Sequence, residues 1–337
     1  MRDTRAELLA QAEMLVRGRG YAGFSYADLA VAVGIRKASI HHHFPTKLDL
    51  AAALVAAYDA RYWEAMAGIR ADIADASPEN VDAIANIGFI VGRDGVLVTE
   101  SGGSLADGQW LRGQIAKHTD KPVTHVVLSH VHPDHVFGAG AFAAEKPVFI
   151  GHAKLREALD ARGEFYRQRL IDLFGAERTG PVVYPTMSVA DTAEIDLGDR
   201  RLTFTAHGPA HTSCDLSMRD SGSGLLFPAD LLFVNRIPSL DGSLRGWLTE
   251  IERLKAMGAT RAVPGHGPVA VDLAPALADL SGYLTALRDG TRAAIAKDVP
   301  IEKAVASVAQ DQRDRWALFD TYNGRNVTVA YQELEWE

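Results

Sequence analysis

Apolar positions recur along this chain in two rhythms. In the first part Leu8, Leu9, Ala12, Leu15 and Val16 fall at helical spacing and stop at Gly18 and Gly20, which predicts an amphipathic helix. Ser25 is placed to cap a second helix from Tyr26 to Val33, ended by Gly34. A tight turn leads into a short third helix, Lys37 to Phe44, which Pro45 and Thr46 break while capping a fourth from Lys47 to about Met66. Helix, glycine turn, helix is the helix-turn-helix pattern. From Asn86 onward the rhythm changes to short apolar runs with glycine turns. Strands are predicted at Asn86–Val91, Val96–Thr99, Val123–Ser129, Pro147–Ile150, Leu202–Ala206, Gly224–Phe227 and Arg261–Val263. Helices are predicted between them at Leu105–Lys117, Lys154–Asp160, Phe165–Phe174, Leu244–Met257 and Ala274–Ile295. Such alternation argues for an α+β chain with sheets covered by helices. The expected division is 1–66 helical, 67–81 a polar join with Asp72, Asp75, Pro78 and Glu79, and 82–337 the sheet-containing part.

Composition agrees with two folded domains. The 337 residues are 47% apolar and 23% charged, the balance of a globular protein rather than a disordered or membrane one. A single cysteine, Cys214, excludes an intrachain disulfide and a cysteine-rich zinc knuckle, so His and carboxylates must hold any metal. The first 20 residues lack the apolar core of a signal peptide, and no run approaches a membrane span, so a cytoplasmic protein without a membrane partner is expected. Residues 1–70 hold nine Lys/Arg against seven Asp/Glu, net +2, and the remainder 26 against 36, net −10. Only the first segment is suited to nucleic acid.

Phe24 to Leu50, reading FSYADLAVAVGIRKASIHHHFPTKLDL, resembles the DNA-binding end of TetR-type repressors. That resemblance implies that Arg36, Lys37, Ser39 and His41 lie on or beside a recognition helix, with Lys47 meeting a phosphate at the start of helix four. Arg and Lys neutralise phosphates, and Ser and His can reach base edges. The long helical domain that follows in such repressors is missing here, and two half-sites would require a homodimer made by another contact. His41, His42 and His43 point about 100° apart on a helix and cannot converge on one ion.

The strand Val123 to Ser129 runs directly into His130, His132, Asp134 and His135, four potential ligands in H-x-H-x-D-H spacing with Pro133 tightening the loop. His211, Asp230 and His266 each follow a later apolar run, the last between Gly265 and Gly267. This set resembles the metallo-β-lactamase superfamily, whose fold is an αββα sandwich. The resemblance implies that His130, His132 and His211 bind one metal, that Asp134, His135 and His266 bind a second, and that Asp230 bridges them. The stretches NIGFIVG, LSHVHPDHVFGAG, PAHTSCDL, RIPSLDGSLRGWL, VPGHGP and RNVTVAYQELEWE resemble, more narrowly, zinc metallohydrolases found with quinoprotein relay and sulfur-oxidation systems. Relative to the family, one or two opening strands and the branch's export signal are not visible.

Two divalent ions are expected, zinc by default, although a ligand set without thiolate also accommodates iron or manganese. Water between them would have its pKa lowered toward ~7 and supply hydroxide. Asp134 is the expected proton carrier. The expected activity is hydrolysis of a small-molecule carbonyl compound: a thioester, ester or lactam. The alternative is a TetR-like regulator in which the second fold serves as sensor or dimerisation part. Cys214 is expected as a small buried side chain, His118, His125, His152 and His207 as surface or core residues, and Arg236 and Trp247 as candidates for the substrate cleft.

Overall fold

Capping explains where the first helices begin and end. The computed structural model describes residues 3–19, 21, 23–54 and 85–337; the expected join at 67–81 and the far half of the fourth helix lie outside the described residues. Helices α1 (Thr4–Arg19), α2 (Tyr26–Val33) and α3 (Lys37–His43) are followed by a helical stretch at 47–54, α4. At the start of α2 the Ser25 hydroxyl accepts from the Ala27 and Asp28 amides, while the Asp28 carboxylate accepts from the Ser25 amide at 2.7 Å. Gly34 ends α2 in the left-handed region, φ 73°. Thr46 and Asp49 repeat the reciprocal cap at α4. Leu8, Ala12, Phe24, Leu29, Ile40, Phe44 and Leu50 form a small buried core.

The second part is a sandwich of two sheets. In the first, β1 (Gly88–Val91), β2 (Val96–Glu100), β3 (Val123–Leu128), β4 (Val148–His152) and β5 (Met187–Val189) lie side by side in chain order. Only the β1–β2 pair is antiparallel. In the second, β6 (Thr192–Asp196), β7 (Arg201–Ala206), β8 (Leu216–Asp220), β9 (Leu226–Phe233), β10 (Arg261–His266) and β11 (Val271–Asp272) also lie in order, with β9 and β10 parallel. Strand periodicity sorts the side chains. Leu97 joins Val127, Leu202 and Phe204 between the sheets, whereas Val96 and Val98 turn outward. The outward residues pack under α5 (Leu105–His118) and α7 (Leu155–Phe174). Helices α8 (Leu244–Ala256), α9 (Leu273–Ile295) and α11 (Phe319–Leu334) cover the second sheet, giving the expected αββα layers. Between strand and helix, α6 (Pro133–Val136) carries part of the candidate site, and α10 (Ile301–Ser307) precedes α11.

Several boundaries differ from the sequence expectation. Strand β9 continues through Phe233 and β10 through His266, so Asp230 and His266 lie within strands rather than in turns after them. Helix α7 passes unbroken through Gly163, whose bare α-carbon faces Val182; a Cβ there would come within 2.9 Å of it. Strands β5, β6, β8 and β11 and helices α6, α10 and α11 were not expected. Among the described residues no strand precedes β1, which forms the edge of its sheet, and no helix is long and apolar enough to cross a membrane.

Helix α11 supports the loop that leads into α8. Buried Asn326 accepts from the Leu240 amide at 2.9 Å and donates to the Pro238 carbonyl at 2.7 Å. Glu333 accepts from the Ser243 hydroxyl and the Leu244 amide, both at 2.7 Å. Every buried polar group on this loop that these two side chains reach is thereby satisfied, and the loop is pinned from one side.

Candidate metal centre

At the mouth of the sandwich the ends of β3, β9 and β10 meet the loops after β7 and β9. His132 is the N-cap of α6, with Pro133 at its first position, where the missing amide hydrogen costs nothing. This strand-to-helix turn carries His130, His132, Asp134 and His135 toward one point. The side chains form two groups with ligand atoms within 4.8 Å of one another: His130, His132, His211 and Asp230, and Asp134, His135 and His266. All are buried except His132 and Asp134, whose side chains keep 12% and 15% of their exposure and so form the accessible face.

Asp230 faces both groups. Its Oδ2 lies 3.3 Å from His211 Nε2, 3.7 Å from His130 Nε2 and 3.2 Å from His266 Nε2, while Oδ1 lies 3.1 Å from His135 Nε2. Asp134 Oδ2 approaches His266 Nε2 at 3.3 Å and His135 Nε2 at 3.6 Å. Gly265 makes this approach possible, because a Cβ there would sit 2.0 Å from Asp230 Oδ1.

The donor atoms fit a cation. His211 Nδ1 is 2.6 Å from the Ser239 carbonyl, which only accepts, so Nδ1 carries the hydrogen and Nε2 a bare lone pair. His132 Nε2 is 3.1 Å from Asp241 Oδ2, which leaves Nδ1 bare by the same reasoning. These two nitrogens face one another at 2.9 Å, within reach of one shared proton or one cation. His130 Nε2 is buried without a hydrogen-bond partner among the described residues, and His135 Nε2 and Asp230 Oδ1 have only each other, at 3.1 Å. Buried polar atoms are otherwise satisfied almost everywhere in folded proteins.

Electrostatics divides the two groups. Burial depresses His130 well below its ordinary range and brings His211 down to about 3, so both rings are neutral. Burial also acts against charge on His135 and His266, but it loses to the Asp230 and Asp134 carboxylates. His135 therefore lies well above its ordinary value and His266 at about 9. Burial would raise Asp134, yet the His135 charge and the His266 hydrogen bond bring it to about 2.

Three outer contacts were not foreseen. Asp241 holds His132 and is in turn held by Arg162 and by Arg325, at 3.3 Å from the latter. Glu100, buried at the end of β2, lies 3.2 Å from His135 Nδ1. Ser239 acts through its backbone carbonyl. A charge closing an apolar strand was the available signal for Glu100; Asp241 stood unassigned within RIPSLDGSLRGWL. Trp247 is fully buried and lies against the His211 ring, centroids 5.3 Å apart, rather than lining a cleft. Phe233 stacks on His266 at 4.8 Å. Cys214 is buried outside both groups, its thiol pushed up to about 11 by burial. His207 is a buried residue bridging Glu250 and Ser217, at 2.6 and 2.7 Å.

In the helical part, Arg36, Lys37, Ser39 and His41 are exposed on or just before α3. His41 Nδ1 also contacts the Pro45 carbonyl at 3.0 Å. Lys47, expected at a phosphate, begins the fourth helix and has partners within the chain. Its amine is bound by the Tyr21 and Phe24 carbonyls and lies 4.2 Å from the Phe24 ring centroid, so it ties the loop before α2 to α4.

These shifts set a pH signature for chelator-treated protein. Protonated His135 and His266 have raised folded-state values, so their stabilisation is complete below the unfolded value of about 6.5 and lost as pH rises above it, for His266 through about 9. Neutral His130 and His211 act oppositely, costing stability below about 6.5. Stripped protein is expected to be most stable near pH 6.5 and to release protons when a divalent ion is added at neutral pH, read with an indicator dye. A flat stability profile with no proton release would contradict this electrostatic picture.

Residues 81–266 match the family model of the metallo-beta-lactamase superfamily, and residues 8–54 that of bacterial regulatory proteins of the tetR family. The HTH-type transcriptional regulator CymR of Pseudomonas putida is 38% identical over 78 residues, 23% of this chain and 37% of that protein. A linear primary-alkylsulfatase of a Pseudomonas species is 22% identical over 216 residues, 53% of this chain and 40% of that protein. The chain thus spans well under half the length of either relative. Among solved structures, the stereoselective inverting sec-alkylsulfatase Pisa1 from Pseudomonas sp. superposes with a TM-score of 0.58 at 16% identity, covering 75% of this chain and 48% of its own. At that identity the likeness shows the fold alone. Sandwich, ligand-bearing turn and family match agree: this chain belongs to the metallo-beta-lactamase superfamily and carries a TetR-type DNA-binding segment ahead of its hydrolase-type domain.

Proposed function

We propose that the domain at 82–337 is a binuclear metal-dependent hydrolase of small molecules, joined through 67–81 to a DNA-binding domain at 1–66. The observation that carries this reading is Asp230, whose carboxylate lies within 3.3 Å of His211 in the first group and of His135 and His266 in the second. In the proposal His130, His132 and His211 hold one divalent ion and Asp134, His135 and His266 the other, with Asp230 shared. Zinc is the first choice for an all-nitrogen and oxygen set, and the narrower likeness to zinc metallohydrolases is part of the same reading. Ions held there supply Lewis acidity and a source of hydroxide at neutral pH.

The protein's own groups then have separable tasks. Asp134 is ionised and on the accessible face, so it accepts the proton of an attacking water and returns it to the leaving group. Asp241 and the Ser239 carbonyl hold His132 and His211 in one tautomer. Phe233 and Trp247 wall the inner side against solvent.

The proposed substrates are thioesters, esters or lactams, and the alkylsulfatase relative adds a sulfate ester to the panel worth assaying. Zinc-loaded protein should hydrolyse at least one of these compounds. Asp134→Ala should lower kcat by about a hundredfold or more with KM little changed, the usual size of a lost proton carrier. A wild type no faster than Asp134→Ala across the panel would sink the hydrolase reading.

The tetR-family match supports a second reading, in which the chain is a transcription regulator and the hydrolase fold senses a ligand or joins two copies. Arg36 and Lys37 are exposed at the start of α3, where they reach phosphates. Binding to the chain's own upstream DNA should weaken as salt rises and fall further in Arg36→Ala. Equal affinity for all DNAs, unaffected by Arg36→Ala, would count against a regulator.

A further inference from the structure

One face of α7 and its N-cap has an unusual composition beside the first ligand group. Positions 154, 157, 158, 161 and 162 are spaced to share a helical face and carry Lys, Glu, Ala, Ala and Arg. They line a groove of about 370 Å³ that also reaches Val131, Thr212 and Asp241. Its floor therefore consists of residues adjoining the candidate ligands: Val131 separates His130 from His132, Thr212 follows His211, and Asp241 holds His132. The size suits a small molecule rather than a water cluster.

Charge and shape within the groove are graded. Ala158 and Ala161 leave an apolar, roomy middle. Arg162 stands paired with Asp241 at the inner end, and Lys154 stands at the other, forming no ion pair among the described residues. Glu157, one turn from Lys154, is the only other carboxylate lining the groove besides Asp241. Lys154 is exposed to solvent, so a neutral aliphatic group would use only the apolar middle. An aliphatic group ending in an anion would use both the apolar middle and the amine.

We propose that this groove binds the remote end of the substrate, an aliphatic stem carrying a carboxylate or sulfonate-type anion, with Lys154 as its specificity-determining residue. The inference rests on the hydrolase reading only in taking the groove's occupant for a substrate. The scissile bond lies at the ligand groups and the anion away from them, so the substrate carries two separate functional groups. Glu157 opposes the anion and limits affinity.

The test is a calorimetric titration of the full chain, zinc-loaded and metal-stripped, with octanoate, octanesulfonate and neutral octanamide, none of which needs turnover. Lys154→Gln is expected to weaken both anions about threefold to tenfold and leave octanamide unchanged, the range for a partly exposed charge contact. Glu157→Gln should tighten both anions. Arg162 is avoided because it also holds Asp241. Lys154 dependence should persist in stripped protein. Anion binding that ignores Lys154→Gln, or that is lost entirely on stripping, places the anion at the ligand groups and overturns the proposal. Lys154-dependent binding in a protein that hydrolyses nothing would instead retain the groove and sink the hydrolase reading.

Discussion

Seven nitrogen and oxygen donor side chains gathered in a mostly buried site are the constraint on which this structure turns. His132 and His211 turn ring nitrogens toward each other, and Asp230 is buried among four imidazoles. A folded chain keeps such an arrangement only if positive charge enters it or protons remain on it. The second ligand group retains protons on His135 and His266, while burial keeps His130 and His211 of the first neutral. The two groups thus differ in charge, and Asp230 lies against both.

Holding those donors in place takes much of the second sheet and its helices. Asp241 and Ser239 lie on one loop, and Asn326 pins that loop from α11, more than eighty residues onward. Gly265 allows β10 to pass against Asp230, and Trp247 fills the space behind His211. Preorganisation of this kind comes from packing and hydrogen bonding outside the ligands themselves. The Arg162 contact to Asp241 extends the same network to α7, and so to the groove beside the site.

Much of this was legible in the sequence, for reasons that differ by element. The second helix was marked by Ser25 and Gly34, because local hydrogen bonding decides where it starts and stops. The grouping of the ligands came from the family resemblance, and the structure brings the same side chains near one another, with Asp230 falling beside the first group. Harder to see were β6 and β8, five-residue strands with only two apolar positions each, and α11, whose Asn-Val-Thr-Val run lowers helix propensity while tertiary packing decides. The endings of β9 and β10 were misjudged because Asp230 and His266 are polar residues in buried strands, the kind of local inconsistency that functional sites impose. Glu100 and Asp241 lie far in sequence from the histidines they touch, and no local pattern links them.

The central claim is that Asp230 is shared by two ions. Elemental analysis of the purified full chain after zinc loading and desalting tests it most directly. Two equivalents per chain are predicted, with Asp230→Asn losing affinity for both while remaining folded. One equivalent or fewer in the wild type, or two retained in Asp230→Asn, would contradict the account.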